Sequence, residues 1–229
     1  MQLNRLTERV WIFPYEEARD RPNLGYIRGD RWSLAIDAGH SEDHITAFYR
    51  ALTQAGLPLP ALTILTHWHW DHTFAMHAGH GLTLACEKTG AYLRQARERI
   101  SREGTGWFLA LDESIRLEYP DNTPVIVKEA DMLFQGSLLL DAGNCPVRVF
   151  QAPSPHTDDT TLVEVCNDRI LFLGDACGGT FPTWVRDPAL SRQLAEVIQS
   201  TNARTCVEGH WTPLSKEETV QDLLAPADP

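Results

Sequence analysis

Residues 67 to 72 read His67-Trp68-His69-Trp70-Asp71-His72, directly after the apolar run Leu62-Thr63-Ile64-Leu65-Thr66. Three imidazoles and a carboxylate within six residues are a ligand set that a borderline divalent ion such as zinc accepts readily. In an extended segment, residues two apart point the same way, so His67 and His69 can reach one ion together. Asp71 and His72 follow where the chain turns toward a helix, and there they can face a second ion. A solvated polar loop does not concentrate ligand types in this way at the carboxyl end of a buried strand.

Three further candidates leave strand-like runs at the same kind of place. His156 follows residues 147–151 and the turn Ala152-Pro153-Ser154-Pro155. Asp175 follows Ile170-Leu171-Phe172-Leu173-Gly174, where the glycine permits close backbone approach. His210 follows residues 205–209. Candidates that all sit at strand exits are how a site is built on one rim of a sheet sandwich.

The surrounding pattern predicts the elements that must carry them. Strands are expected at 10–13, 24–28 and 32–37, the last two forming a hairpin around Gly29-Asp30-Arg31. Ser41 caps an expected helix that ends near Gly56. A helix over 71–77 and a strand over 82–86 follow. Residues 88–118 break the alternation and read as a mostly helical insertion, too short to bury a core of its own. Strand signals resume at 125–127, 138–140, 147–150, 161–165 and 170–173. A helix opens at Pro188 with Asp187 as its cap, then come a short strand at 205–207 and a terminal helix over 216–224. Strands interrupted by helices in two successive halves imply two sheets face to face with helices outside.

Composition narrows the function classes. The 229 residues fit one domain, and 43% hydrophobic with 22% charged residues is a globular composition. A net charge of −11 argues against nucleic acid as a partner, since phosphate contacts need a basic face. Arg94, Arg97, Arg99 and Arg102 are interleaved with Glu98 and Glu103, the pattern of a solvated helix face. Five cysteines without a CxxC pair point to reduced thiols. The first residues carry no apolar signal region, and no apolar run reaches the roughly 18 to 20 residues of a membrane span. The expectation is a cytoplasmic protein with a small-molecule substrate and no membrane partner; self-association into a homo-oligomer is left open.

The order HxHxDH, a histidine after a proline-rich turn, LFLGD and a late GH resembles the metallo-β-lactamase-fold hydrolase superfamily, of the glyoxalase II and lactonase-like type. The resemblance runs along essentially the whole chain. It implies an α/β fold, a four-layer αβ/βα sandwich of two mixed sheets, as a single domain over 1–229 with the insertion inside it. It implies that His67, His69 and His156 hold one metal ion and that Asp71, His72 and His210 hold another. Asp175 would bridge both, and Asp37 matches a structural aspartate beneath the site. The implied cofactor is two divalent ions, zinc first, with iron or manganese also suited to these ligands.

The implied chemistry is hydrolysis by a hydroxide held between two cations roughly 3.5–4 Å apart. Asp71 would orient that nucleophile and move a proton, and no serine or cysteine nucleophile is required. Cys177 is therefore read as packing. Asp at 175, where β-lactamases of the superfamily usually place Cys, disfavours antibiotic hydrolysis. Asp at 71, where the diiron flavoproteins of the fold carry Glu, disfavours a redox role. The 19 residues after His210 leave no room for a glutathione-binding addition, and no basic exosite for RNA is visible. The leading expectation is a hydrolase of a small ester, lactone or thioester. The alternatives are a phosphodiesterase or phosphonate-type hydrolase, and a metal-binding sensor or scaffold, against which the full set of seven ligands counts.

Several neighbours are expected around the ions. Asp158 and Asp159 read either as partners orienting His156 or its neighbours, or as a solvated acidic turn. His40, His44, His77 and His80 fall outside every matched position, with His40 the best placed of the four. Residues 88–118 are expected as a lid with Trp107, Phe108 and Tyr92 on its wall or in its own apolar seam, and Trp68, Trp70 and Trp184 as residues narrowing the entrance.

Overall fold

The computed structural model describes residues 2–120 and 123–225. The first half of the chain forms β1 (Asn4–Arg5), β2 (Val10–Phe13), β3 (Leu24–Arg28), β4 (Ser33–Ile36), α1 (Glu42–Gln54), β5 (Leu62–Ile64), α2 (Trp70–Thr73), β6 (Leu82–Cys86), α3 (Glu87–Glu103), α4 (Gly106–Leu109), α5 (Glu113–Glu118) and β7 (Met132–Phe134). The second half forms β8 (Ser137–Asp141), β9 (Pro146–Gln151), β10 (Thr161–Val165), β11 (Ile170–Gly174), α6 (Pro188–Ser200), β12 (Thr205–Glu208), β13 (Leu214–Ser215) and α7 (Lys216–Leu224). Strands β1 to β7 make one sheet in sequence order, antiparallel up to β4 and parallel from β4 to β7. The other sheet runs β13-β12-β11-β10-β9-β8, with β11 and β12 its parallel pair.

The period of two along each strand sorts side chains into layers. Val10, Ile12, Ile27, Leu34 and Ile36 face Val147, Val149, Val163, Val165 and Phe172 between the sheets. From the outer face of the first sheet, Phe13, Leu24, Tyr26 and Ala35 pack on Phe48 and Leu52 of α1. On the far side, Leu162, Leu171 and Leu173 meet Leu194 and Ile198 of α6 and Val220 and Leu223 of α7. This is the α/β sandwich of two mixed sheets with helices outside that the sequence implies. Ser41 caps α1 through His44 N–H, and Asp187 caps α6 with Pro188 at its first position.

Two elements differ from expectation. Val125 and Val127 are buried but unpaired, part of the apolar cluster that holds Trp70 and Phe108, and the edge strand lies further on at β7. Asp131 explains the offset: its carboxylate accepts from Thr83 N at 2.9 Å and Thr83 Oγ1 at 2.8 Å, so the chain locks onto β6 only after that residue. The helix expected over 71–77 is α2 followed by the 3-10 turn Phe74–Ala78. Thr73 marks the break, its hydroxyl bonded to the carbonyls of Trp68 and His69 at 3.0 and 2.9 Å. No helix among the described residues is long and apolar enough to cross a membrane.

Candidate metal centre

The donors converge because strand ends from both sheets share one rim. At the end of β4, Asp37 adopts a left-handed backbone, φ 62°. Its Oδ1 accepts from Thr66 N at 2.8 Å, and its Oδ2 accepts from Thr66 Oγ1 at 2.8 Å and faces His72 Nδ1 at 2.7 Å. One buried carboxylate thus fixes both the exit of β5, which delivers His67, and the ring of His72. Thr161 N–H donates to the Thr66 carbonyl at 2.7 Å and ties the second sheet to the same point. Two glycines admit the close approach. Gly174 has φ 54° and leaves no room for a Cβ against Thr66, and a Cβ on Gly209 would collide with the Asp175 carboxylate.

Seven side chains named from the sequence fall into two groups. One donor atom from each of His67, His69 and His156 lies within 4.8 Å of the others, and the same holds for Asp71, His72, Asp175 and His210. In the first group the rings of His67, His69 and His156 stand 4.7 to 5.0 Å apart. His156 Nδ1 meets the Gly179 carbonyl at 2.7 Å, so that nitrogen carries the proton and Nε2 turns a lone pair inward. In the second group Asp71 Oδ2 lies 3.0 Å from both His72 Nε2 and His210 Nε2. Asp175 reaches across, 3.2 Å from His72 Nε2, 3.5 Å from His210 Nε2 and 3.8 Å from His156 Nε2.

These residues suit divalent ions. His67 Nε2, His72 Nε2 and Asp175 Oδ1 are buried without an aligned hydrogen-bond partner, which a folded protein tolerates rarely. Burial, then the neighbouring His72 and His69, holds His67 well below the ordinary imidazole value. Burial and His156 bring His69 down to about 4. Neutral imidazoles with free lone pairs are what a metal ion needs. In the second group burial opposes charge on every member, yet opposite charges win. Asp71 and Asp175 sit well below the usual carboxylate range beside His72 and His210, and both histidines sit well above theirs.

Above the donors opens a cavity of about 250 Å³. Trp70, Trp184 and Trp211 give it apolar walls, and Asp20 and Glu208 add two carboxylates beyond the candidate ligands. Burial, followed by Asp71, raises Asp20 to about 7, and burial, followed by Asp175, raises Glu208 to about 7. Trp184 lies nearly parallel to the His156 ring at 6.2 Å and is 59% exposed. Asp20, Glu208 and Trp211 were not singled out from the sequence. They arrive from opposite ends of the chain, Asp20 and Trp211 on loops and Glu208 at the end of β12, and no local spacing marks them.

The expected lid is not seen over this cavity. Phe108 is fully buried and packs under Trp70 and Phe74 at 6.0 and 5.2 Å, so α3 to α5 back the site rather than cover it. Its apolar ring gains more from that burial than from facing solvent above the pocket. Trp68, Tyr92 and Trp107 line a separate groove, with the Arg99 guanidinium 3.8 Å from the Trp107 ring centre. Of the entrance residues, Trp70 and Trp184 line the cavity and Trp68 does not.

The remaining candidates take structural partners. Asp158 bonds Lys88 and Tyr92 at the surface, and Asp159 is buried on Thr89 at 2.7 Å and on Thr157, so neither touches His156. His40 is buried against Tyr119 with Nδ1 3.2 Å from the Arg19 carbonyl, and His44 Nδ1 accepts from His40 N–H. His77 and His80 bond the carbonyls of Phe74 and Pro60. Cys177 packs among Leu173, Leu194 and Ala195, where burial pushes its thiol well above the ordinary value.

No protein-family model matches the chain. Among curated proteins it is similar to the acyl-coenzyme A thioesterase MBLAC2 of Gallus gallus, 24% identical over 228 residues that span 89% of this chain and 77% of that protein. A metallo-beta-lactamase from Pontibacter korlensis superposes with a TM-score of 0.71 at 16% identity, covering 97% of this chain and 96% of the other. The DIM-1 metallo-beta-lactamase does so with a TM-score of 0.67 at 16% identity, again over 97% and 96%. Two mixed sheets closed by helices, with a His/Asp constellation on one rim and these neighbours in space, make the chain a protein of the metallo-β-lactamase fold.

Proposed function

We propose that this chain is a metal-dependent hydrolase that takes two divalent ions, zinc first, and cleaves a small ester, lactone or thioester. The observation that carries the reading is the pair of adjacent donor groups on the floor of one cavity. His67, His69 and His156 would hold one ion and Asp71, His72 and His210 the other, with Asp175 shared. Such a pair, when bound, lowers the pKa of water and polarises a carbonyl oxygen.

The chain's own side chains supply the rest. Asp71, held ionised between His72 and His210, presents a carboxylate that can accept a hydrogen bond from a water and orient it. Trp70, Trp184 and Trp211 offer an apolar wall to an acyl group. Among the described residues lining the cavity there is no lysine or arginine, and the carboxyl groups of Asp20 and Glu208 offer an anionic group no positive partner there. That charge pattern favours a neutral acyl centre over a phosphodiester. The name of the thioesterase relative points the same way, toward a thioester.

The test compares zinc-loaded protein on p-nitrophenyl acetate, a simple lactone and a short acyl thioester with bis-p-nitrophenyl phosphate. Turnover of an acyl substrate, lost in His69→Ala, is the expected result. Turnover of the phosphodiester alone, or none of any substrate at two bound ions, overturns the assignment.

A further inference from the structure

The segment before β3 carries residues that no motif picked out. Asp20 follows the 3-10 turn Glu17–Arg19 in a left-handed conformation, φ 49° and ψ 43°. Its Oδ1 lies 3.6 Å from His210 Nδ1, while the opposite ring nitrogen, Nε2, lies 3.0 Å from Asp71 and 3.5 Å from Asp175. His210 therefore stands between an outer carboxylate and the two carboxylates of its own donor group.

What holds Asp20 there is built from the other side of the molecule. The residues on either side of it turn away from the cavity toward Glu118 of α5, whose side chain is 0% exposed. Arg21 Nε reaches Glu118 Oε1 at 2.8 Å and Oε2 at 3.0 Å, and Arg19 Nη1 reaches Oε2 at 3.5 Å. The Ser41 hydroxyl also donates to Glu118. Arg21 further bonds Glu16 at 3.1 Å across the bridge that closes this loop. With both arginines pulled back, the acid between them is left facing the cavity. Asn23 then fastens the same segment to the loop that carries His210: its Nδ2 donates to the carbonyls of Glu208 and Trp211 at 2.7 Å, and its N–H donates to Gly209 at 2.6 Å.

We propose that Asp20 is a positioning residue for His210, and that Glu118 of α5 sets Asp20 through Arg19 and Arg21. It rests on the two-ion reading above. A carboxylate behind Nδ1 favours the proton on that nitrogen, leaves the Nε2 lone pair for an ion and makes the ring a stronger donor. At 3.6 Å the contact is longer than a hydrogen bond, so its influence is that of a carboxylate group placed behind the ring. Helices α3 to α5 thereby acquire a task at the site without covering it.

The test titrates metal-free wild type, Asp20→Asn, Asp20→Glu and Glu118→Gln with zinc against a chromophoric chelator, reading two constants. In parallel, cobalt is added by equivalents and the visible spectrum followed. Asp20→Asn should weaken the second ion by about 10- to 100-fold and leave the first within about twofold. Asp20→Glu should restore part of the loss, and the spectrum of the second cobalt equivalent alone should move. Glu118→Gln should weaken the same ion to a lesser degree and add little on top of Asp20→Asn. Where Glu118→Gln fails to fold, Asp20→Asn decides alone, since Asp20 is a partly exposed loop residue. Two ions bound by wild type with unchanged constants in Asp20→Asn overturn this proposal and spare the function. A wild type that takes one ion overturns both.

Discussion

The two donor groups share a floor but not a chemistry. The first is three buried imidazoles, and burial holds His67 and His69 below the ordinary imidazole value, so each offers a neutral ring before any ion arrives. The second pairs two carboxylates with two imidazoles that charge one another, and is already neutralised from within. An ion entering the first displaces little, whereas an ion entering the second must displace protons. The difference teaches that loading should be ordered, with the first group filling first and the second depending steeply on pH.

The sharpest way to break the contrast is to take a donor from the first group. His69→Ala should abolish binding of one ion and lower turnover by more than the ~100-fold typical of losing a ligand's supporting partner. Full metal content at full rate, by elemental analysis and assay, would refute the ligand assignment. Asp175→Ala should weaken both ions, with the second lost first on stepwise chelation, because this carboxylate reaches from His72 to His156. Loss of the first ion alone would contradict that shared position.

pH sharpens the comparison on the metal-free protein. His72 and His210 have raised folded values, so their stabilisation is complete below the ordinary imidazole value and lost as pH rises through the raised one. Asp71 and Asp175 have lowered values, so theirs is present above the ordinary carboxylate range and lost as pH falls through the lowered one. The melting temperature should therefore fall at both extremes, and saturating zinc should remove the alkaline fall by taking the place of the protons. An alkaline limb that zinc leaves intact would show that the two histidines are not its origin. The smallest effect is expected outside both groups: Cys177→Ala should leave turnover within about twofold, since that thiol acts as a small buried apolar group. A collapse in rate at unchanged metal content would give Cys177 a chemical task.

Much of this was legible because the informative signals are local. Alternation placed β2, β3, β10 and β11 with their boundaries within one residue, and the capping residues Ser41 and Asp187 marked helix starts. Each candidate ligand could be read from its place at a strand exit. What escaped depends on pairings distant along the chain. Strand β7 is short, half exposed and set by Asp131 reaching Thr83, while Val125 and Val127 imitate a strand because they are buried cover. Asp20, Glu208 and Trp211 meet only after Asn23 ties residues 208–211 to the opposite end of the sequence. A carboxylate whose surroundings are assembled by folding leaves no spacing to read.

The boundary between the sheets falls between β7 and β8, at Gln135 and Gly136, and each donor group draws from both sides of it. His67 and His69 belong to one half and His156 to the other; Asp71 and His72 belong to one half and Asp175 and His210 to the other. A chain nicked at that turn would become a two-piece assembly with each fragment bearing an incomplete set of ligands. Zinc would then act as a linker of unlike fragments, and their reassociation would track the free ion concentration.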